Sequence, residues 1–363
     1  MIEDDDTATP APTQAELLAV EIGDWAPLGG DVRLELAGRR TVLVGRNGSG
    51  KSALLFGIFW GGGVACGQFS AMARQRPDFP SVPMRFLCEH RDAQGEMWAY
   101  QYRLGKRIEE SAWNQRDAVW VDTDLRGADR ERLVMSFREM NWLLAGIPRH
   151  QTFVRGKQVV SVTENVDGGG FRVAYLNQTE PVLGRLAEQL VLAHYSSHEG
   201  ELAELAELGR RIGAWQTLQV ETYSGREEKD SIAAVSIDGV DLGLVADGTQ
   251  RITGMLWDLV RSARTTCNLL LVDEPETGVH PGLLAGLLDT IDAYSIDRQV
   301  IVSTHSPQVV SWAKPQELRV VTREAGKTQV RPLSEQQVAQ FLKYLHDQTL
   351  GEFVYSGALD DEG

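Results

Sequence analysis

A glycine-rich segment at residues 45–52 restricts the possible folds of this chain more than any other feature. It reads Gly-Arg-Asn-Gly-Ser-Gly-Lys-Ser and follows the apolar residues 41–44 directly, an order that predicts a strand, a loop and then a helix. Glycines let the loop turn so that successive N–H groups point at phosphate oxygens, and the helix N-terminus adds its positive dipole end. In such loops the lysine reaches the β and γ phosphates, and the following hydroxyl ligates Mg²⁺. The segment therefore predicts a nucleoside triphosphate site, with contacts from Arg46, Asn47, Gly48, Ser49, Gly50, Lys51 and Ser52.

Composition and cysteine usage predict a soluble, cytoplasmic protein of one or two lobes. The chain has 363 residues, of which 42% are hydrophobic and 24% charged, so it can bury one large core or two modest ones. Its only long apolar run, residues 54–65, is broken by glycines and is too short to span a membrane. Cys66, Cys88 and Cys267 are scattered and form no C-x-x-C pair, which argues against a disulfide framework or a zinc hook.

The net charge of −15 is unevenly distributed along the chain. Seven acidic residues lie at 3–6 and 360–362, in ends that we expect to be disordered, which leaves −8 for the body. An acidic body argues against broad, non-specific DNA binding, because duplex binding depends on neutralising phosphates. Nucleic acid stays open as a partner, since local arginines such as Arg126, Arg130 and Arg132 could contact phosphate.

A second candidate site lies far downstream, at residues 268–276. The segment reads Asn-Leu-Leu-Leu-Val-Asp-Glu-Pro-Glu, which is typical of a buried parallel strand that ends in carboxylates at the functional edge of an α/β sheet. Asp273 would then hold Mg²⁺, and Glu274 would act as general base on the attacking water. Taken alone, such acids can also be structural caps of the next element. Residues 300–307 form another apolar run, which would bring His305 to the same edge of the sheet.

These motifs together resemble a known family. The loop at 45–52, the strand at 268–276 with Thr-Gly-Val-His-Pro behind it, and the Ser-Thr-His-Ser-Pro segment at 303–307 are similar to ABC-type ATPase heads of the RecF, SMC and OLD-like group. Within that group, the chain most resembles the stand-alone AAA-type ABC ATPases of bacterial and phage-defence operons. The resemblance implies ATP and Mg²⁺ as cofactors and a Walker A role for the loop. It also implies Walker B roles for Asp273 and Glu274, a D-loop that includes His280, and a switch role for His305 at the γ-phosphate.

The same resemblance requires a signature segment that touches the nucleotide of a partner subunit. Residues 245–251, Val-Ala-Asp-Gly-Thr-Gln-Arg, precede a predicted helix over residues 249–263 and are the best candidate. The implied contacts are Asp247, Gly248 and Thr249. Relatives usually carry serine where this chain has Ala246, so the strength of the contact between subunits stays open. Without the resemblance, the same residues would be interpreted as a turn and a helix cap.

The spacing of the motifs predicts the organisation of the chain. Lys51 and Asp273 are 222 positions apart. We therefore expect an α/β P-loop ABC-type ATPase head, a mixed sheet flanked by helices, with a large α+β insertion between Walker A and the signature segment. The expected boundaries are a disordered acidic tail at 1–14, the N-terminal half of the head at 15–75, the inserted lobe at 76–240, the C-terminal half of the head at 241–350 and a tail at 351–363.

Hydrophobic patterns predict the main elements within these boundaries. Alternating runs favour antiparallel strands at 15–44, a hairpin from 84–90 and 97–104, and a second hairpin at 232–244. Leucines at helical spacing over 181–215 predict core-packing helices in a compact appendage. After residue 305 we expect only a short strand near 318–322 and a helix at about 334–346.

The predicted function is that of an ATPase whose two heads close around two ATP molecules as a homodimer, with no membrane partner. OLD nucleases continue into an acidic toprim domain at the point where this chain stops. The resemblance therefore implies regulation of a separately encoded effector, such as a nuclease or a toprim-like protein, in anti-phage defence or DNA maintenance. Two alternatives stay open: a RecF/SMC-like DNA-binding repair ATPase that acts without an effector, and an ABC transporter cassette.

Overall fold

The computed structural model describes residues 16–65, 84–91, 95, 97–104, 108–114, 121–122, 141–145, 158–164, 171–177, 182–195, 199–223, 232–264 and 267–338. The strands are β1 (Glu16–Gly23), β2 (Val32–Glu35), β3 (Arg40–Val44), β4 (Met84–Arg91), β5 (Met97–Leu104), β6 (Ile108–Asn114), β7 (Val121–Asp122), β8 (Asn141–Ala145), β9 (Gln158–Glu164), β10 (Phe171–Asn177), β11 (Leu218–Tyr223), β12 (Ile232–Ile237), β13 (Val240–Asp241), β14 (Cys267–Asp273), β15 (Gln299–Thr304), β16 (Leu318–Glu324) and β17 (Lys327–Pro332). The helices are α1 (Lys51–Ala65), α2 (Val182–Tyr195), α3 (Glu199–Ile212), α4 (Asp247–Ala263), α5 (Pro281–Ala293) and α6 (Pro307–Trp312), with a 3-10 turn at Pro315–Glu317.

The central sheet positions the candidate site. Its strand order is β17-β16-β3-β15-β14-β8, and all neighbouring pairs are parallel except β16 with β17. Every residue of β3 and β15 is buried, as expected for parallel strands that are covered on both faces. Because these strands run in the same direction, β3, β14 and β15 end at one edge, where Asp273 lies opposite Ser303 and Thr304 lies opposite Val44. The mixed sheet flanked by helices confirms the predicted fold class.

A second, antiparallel sheet has the strand order β2-β1-β4-β5-β6-β7. The predicted antiparallel strands correspond to β1 and β2, and the predicted hairpin at 84–104 corresponds to β4 and β5. Since β1 pairs with β4, this sheet continues across the boundary expected at residues 75 and 76. Strand β8, from the same expected insertion, pairs with β14 in the central sheet. Strands from the range 76–240 therefore complete both sheets of the head.

The helix pair α2–α3 packs in the same apolar cluster as α4 and one face of the central sheet. The predicted core leucine Leu183 has a side chain outside the described ones. The other predicted core leucines are at most 8% exposed: Leu186, Leu190, Leu202, Leu205 and Leu208. The prediction of core packing is confirmed, but the pair belongs to the head core rather than to an appendage. A second cluster places α1 between β1 and the opposite face of the central sheet, through side chains such as Ile22, Leu54 and Leu271.

The chain after His305 contains one strand more than the sequence predicted. The expected strand at 318–322 is β16, and β17 follows it as an antiparallel partner. Ala325 and Gly326 form the turn, with φ values of 48° and 81° that are typical of a two-residue hairpin. This hairpin supports the glycine-rich loop, because Thr328 Oγ1 of β17 donates a hydrogen bond to the carbonyl oxygen of Ser49 at 3.0 Å. Ala-Gly is a weaker hairpin signal than Asn-Gly or Asp-Gly, and for this reason β17 was not predicted from the sequence.

Several predicted features lie outside the described residues. They are the tails at 1–14 and 351–363, Cys66, the three arginines at 126, 130 and 132, and the part of the helix at 334–346 that follows residue 338. Within the described ranges, every helix is too short or too polar to cross a lipid bilayer.

Candidate nucleotide-binding site

The loop at residues 45–50 joins β3 to α1, as predicted, and has the backbone shape that close approach to phosphate requires. Gly48 and Gly50 have φ values of 82° and 108°, a conformation that residues with a side chain rarely adopt. At Gly45 a Cβ atom would stand 2.2 Å from the carbonyl oxygen of Val321, so β16 packs directly against the loop. The glycines therefore serve both the conformation of the loop and its packing.

Lys51 lies folded against the loop. Its Nζ donates hydrogen bonds to the carbonyl oxygens of Gly45 at 2.8 Å and Arg46 at 3.1 Å, and only 3% of the residue is exposed. Burial lowers the pKa of Lys51, while the carboxylates of Glu274 and Asp273 oppose that shift. The buried ammonium is thus held by loop carbonyls and by acids at the end of β14.

Asp273, the last residue of β14, connects that strand to the loop helix. Its Oδ1 accepts a hydrogen bond from Ser52 Oγ at 3.0 Å and another from Ser303 Oγ. The side chain is 2% exposed, and burial raises the pKa of Asp273 against the opposing effect of the two hydroxyl hydrogen bonds. Ser303 was not among the predicted site residues, because a serine inside an apolar strand has no pattern that distinguishes it.

The donors at this position fit Mg²⁺. Ser52 and Asp273 offer a hydroxyl and a carboxylate oxygen, the hard ligands that Mg²⁺ prefers. A divalent cation beside Asp273 would also offset the cost of burying that carboxylate. Within the described part of the chain, no group of three or more His, Cys, Asp or Glu side chains is arranged to hold a metal. A Mg²⁺ that arrives with a nucleotide uses one or two carboxylates together with substrate phosphates, and Asp273 could be one of them.

Glu274 has a strained backbone next to Asp273. Its φ of 47° lies in the left-handed region, which costs a residue with a side chain about 1–3 kcal/mol. Its N–H donates to the carbonyl oxygen of Ser303 at 3.0 Å and to Ser303 Oγ at 3.1 Å, so β15 fixes the turn. Its Oε2 accepts a hydrogen bond from Thr277 Oγ1 at 3.1 Å, and 22% of the side chain is exposed. The carboxylate is therefore oriented and still accessible to a water molecule, as a general base must be.

Arg251 of α4 braces this turn, a role that the sequence analysis missed. Its Nη2 donates to the carbonyl oxygens of Asp273 at 3.2 Å and Glu274 at 2.9 Å. Burial lowers the pKa of Arg251, and the nearby carboxylates, Asp273 foremost, oppose the shift. An arginine in the first turns of a helix is ordinarily solvent-exposed, so no local signal distinguished this one.

If the chain hydrolyses ATP, as its motifs predict, replacement of Arg251 by alanine should slow that hydrolysis about tenfold, because the carbonyl oxygens of Asp273 and the strained Glu274 lose a charged donor. The apparent Kd for ATP should change less than about threefold, since Arg251 is bonded to the turn after β14 rather than to the loop at 45–50. Arg261→Ala is the matched control, because Arg261 is an exposed residue in the last turn of the same helix. Equal steady-state rates for the two variants would contradict this role.

The predicted signature residues lie at the start of α4, which begins at Asp247 rather than at residue 249. Ala246 occupies the N-cap position and makes no side-chain capping bond. Gly248 packs against the turn that follows β14, where a Cβ atom would stand 2.1 Å from the carbonyl oxygen of Gly278. His280, in the predicted D-loop, caps α5 by accepting a hydrogen bond from the N–H of Gly282 at 3.1 Å.

His305 follows β15 and reaches the acids at the end of β14. Its Nδ1 lies 3.5 Å from Glu274 Oε1 and 3.3 Å from Glu276 Oε1, and 38% of the side chain is exposed. The fold thus brings five of the predicted residues to one edge of the central sheet. They are Lys51, Ser52, Asp273, Glu274 and His305.

A family model described as "AAA domain, putative AbiEii toxin, Type IV TA system" matches residues 195–311, about a third of the chain. This range contains the predicted signature segment, β14 and β15. No curated protein matches the sequence.

Solved structures that resemble the structure of this chain include head domains of SMC proteins. The SmcHead bound to the C-winged helix domain of ScpA has a TM-score of 0.51 and 12% identity, over 90% of this chain and 99% of that one. The SMC head domain from Thermotoga maritima has a TM-score of 0.47 and 16% identity over 88% and 99%. The Smc head with an extended coiled coil, bound to the C-terminal domain of ScpA derived from Pyrococcus furiosus, has a TM-score of 0.49 and 12% identity over 92% and 100%. With the strand–loop–helix motif and the parallel strands that end at Asp273 and Thr304, this chain is an α/β P-loop protein with the fold of an ABC/SMC-like ATPase head.

Proposed function

We propose that this protein hydrolyses ATP to ADP and phosphate in the presence of Mg²⁺. The observation that carries the proposal is the hydrogen bond between Ser52 and Asp273, which joins the phosphate loop to a strand that also presents Glu274. A loop cradle, a metal-binding carboxylate and an adjacent accessible carboxylate are the groups that phosphoryl transfer to water requires. Their arrangement at the carboxyl ends of parallel strands agrees with where open α/β sheets bind ligands.

Each residue has one role in this proposal. The loop N–H groups and Lys51 bind the β and γ phosphates, and Ser52 and Asp273 hold Mg²⁺. The metal, when bound, neutralises charge on the phosphates. Glu274 accepts a proton from the attacking water. His305 contacts the γ-phosphate.

We further propose that two heads form a homodimer around two ATP molecules. The first turn of α4 carries Asp247, Gly248 and Thr249, and the positive dipole end of a helix suits phosphate. Since Ala246 offers no hydroxyl, backbone N–H groups would supply most of this contact.

As the biological role, we propose regulation of a separately encoded effector in the cytoplasm, in anti-phage defence or DNA maintenance. The name of the matching family model refers to a toxin of a type IV toxin–antitoxin system, which supports a role in defence. The SmcHead of the first comparison is bound to a domain of ScpA, so a head of this fold can carry a partner protein. Purification from the native host, with the neighbouring reading frames identified, tests the role. Recovery of nucleic acid without a protein partner would favour the RecF/SMC-like alternative.

Phosphate release tests the proposed activity. Purified protein should turn over ATP with Mg²⁺ and lose activity on addition of EDTA. Asp273→Asn should lower the Mg²⁺-dependent rate about 100-fold, because it removes the only carboxylate bonded to Ser52 among the described residues. Asp297→Asn, at an exposed position after α5, should leave the rate unchanged. A wild-type protein that releases no phosphate would overturn the proposal.

A further inference from the structure

Glu276 is a buried carboxylate to which the proposed reaction assigns no role. Only 9% of its side chain is exposed. Its Oε1 accepts hydrogen bonds from Thr304 Oγ1 at 2.7 Å and from the backbone N–H of His305 at 2.9 Å. Its Oε2 is buried and has no hydrogen-bond partner among the described residues. Such a group is costly to bury, so its contacts need a functional explanation.

The ring of His305 lies against the same carboxylate oxygen. Its Nδ1 is 3.3 Å from Glu276 Oε1 and 3.5 Å from Glu274 Oε1. Nδ1 is itself buried, although 38% of the side chain is exposed, so the accessible part of the ring is the edge that includes Nε2. At these separations Nδ1 has no hydrogen-bond partner among the described residues. Because both facing groups are acceptors, a hydrogen on Nδ1 would let it bond to one of them.

We propose that Glu276 is a positioning residue that fixes His305 with a hydrogen on Nδ1 and with Nε2 directed to the open side of the site. Glu276 Oε1 is anchored by the Thr304 hydroxyl and a backbone N–H of the same turn, so it can hold the ring without moving. By accepting the Nδ1 hydrogen, Glu276 leaves Glu274 Oε1 free to accept a hydrogen bond from water. The expected effect on the rate of hydrolysis rests on the proposed ATPase function, whereas the expected tautomer of His305 does not.

Two outcomes separate this role from a purely structural one. If Glu276 only capped the turn at 304–305, its loss would lower stability without any specific effect on His305. If it positions the ring, its loss should change the hydrogen-bonded nitrogen of His305 and should have no effect once His305 is absent. Glu276→Gln keeps an oxygen acceptor at the Oε1 position, so it should retain the positioning role.

Nitrogen NMR of histidine-labelled protein without nucleotide measures the first outcome. At about pH 9, where histidine side chains are ordinarily neutral, His305 should carry its hydrogen on Nδ1. His305→Ala identifies its signals among the seven histidines. Glu276→Ala should move the hydrogen to Nε2, and Glu276→Gln should not. An unchanged tautomer in Glu276→Ala would overturn the proposal.

Single-turnover hydrolysis measures the second outcome. Glu276→Ala should slow the chemical step about tenfold and change the Kd for ATP less than about threefold. The double variant with His305→Ala should be no slower than His305→Ala alone, because residues that act through one another are not additive. Losses that multiply in the double variant would overturn the positioning role. Absence of hydrolysis in the wild-type protein would instead refute the ATPase proposal, and the tautomer would still decide the role of Glu276.

Discussion

Replacement of Glu274 by glutamine is expected to abolish most ATP hydrolysis while ATP binding persists. The amide keeps the size of the side chain and can still meet the Thr277 hydroxyl, but it cannot accept a proton from water. General-base catalysis contributes about 10²–10⁴-fold, so the single-turnover rate should fall at least about 100-fold. The Kd for ATP should stay within about threefold of the wild-type value, because the phosphate cradle is formed by another segment, residues 45–52.

The same variant should accumulate ATP-bound dimers. If two heads close around nucleotide and open after hydrolysis, a head that cannot hydrolyse ATP stays closed. Light scattering after size exclusion with Mg²⁺ and ATP should show dimers for Glu274→Gln and mainly monomers without nucleotide. Glu324→Gln, at an exposed position at the end of β16, is the matched control. Undiminished turnover in Glu274→Gln would contradict the role of Glu274, and monomers at every nucleotide concentration would contradict the closed dimer.

The parallel strands were predictable because burial on both faces makes them apolar throughout. Residues 41–44, 268–273 and 300–304 became β3, β14 and β15 for that reason. The sheet that contains β4 was not predictable. Alternation along a strand indicates which face is buried, but it does not indicate that residues 84–91 lie beside residues 16–23. The domain boundary expected at residue 76 was based on the long separation of the motifs in the sequence. Strands that are far apart in the sequence can still pair, as β1 and β4 do.

The candidate site was predictable where a residue with a recognisable chemical role directly follows an apolar strand in the sequence. The phosphate loop, Asp273, Glu274 and His305 each lie where an apolar strand ends, and the fold brings them together. Arg251 and Glu276 could not be assigned. The first acts on backbone carbonyls 22 and 23 positions away, and the second on the turn 28 and 29 positions away. Such contacts depend on the packing of α4 and β15 beside β14, which no local residue pattern encodes.

Replacement of Lys51 by alanine should weaken ATP binding about 10- to 100-fold. In the structure the ammonium bonds to two loop carbonyls, and it stays positioned there although burial lowers its pKa. A triphosphate would offer it stronger acceptors than carbonyl oxygens, since hydrogen bonds between ionised groups contribute about 1.5–3 kcal/mol. A loss of about 1.4 kcal/mol of binding free energy raises the Kd about tenfold, so the loss of this contribution accounts for the expected change.

Equilibrium titration with a fluorescent ATP analogue measures this effect apart from catalysis. Lys314→Ala is the matched control, because Lys314 is exposed and lies far from the loop. It precedes the 3-10 turn at Pro315–Glu317. Glu317 of this turn bonds Arg40 at the start of β3, and the loop follows the other end of that strand. The Kd of Lys314→Ala should equal that of the wild-type protein. An unchanged ATP titration for a folded Lys51→Ala would refute the assignment of residues 45–52 as the phosphate loop, and with it the ATPase proposal.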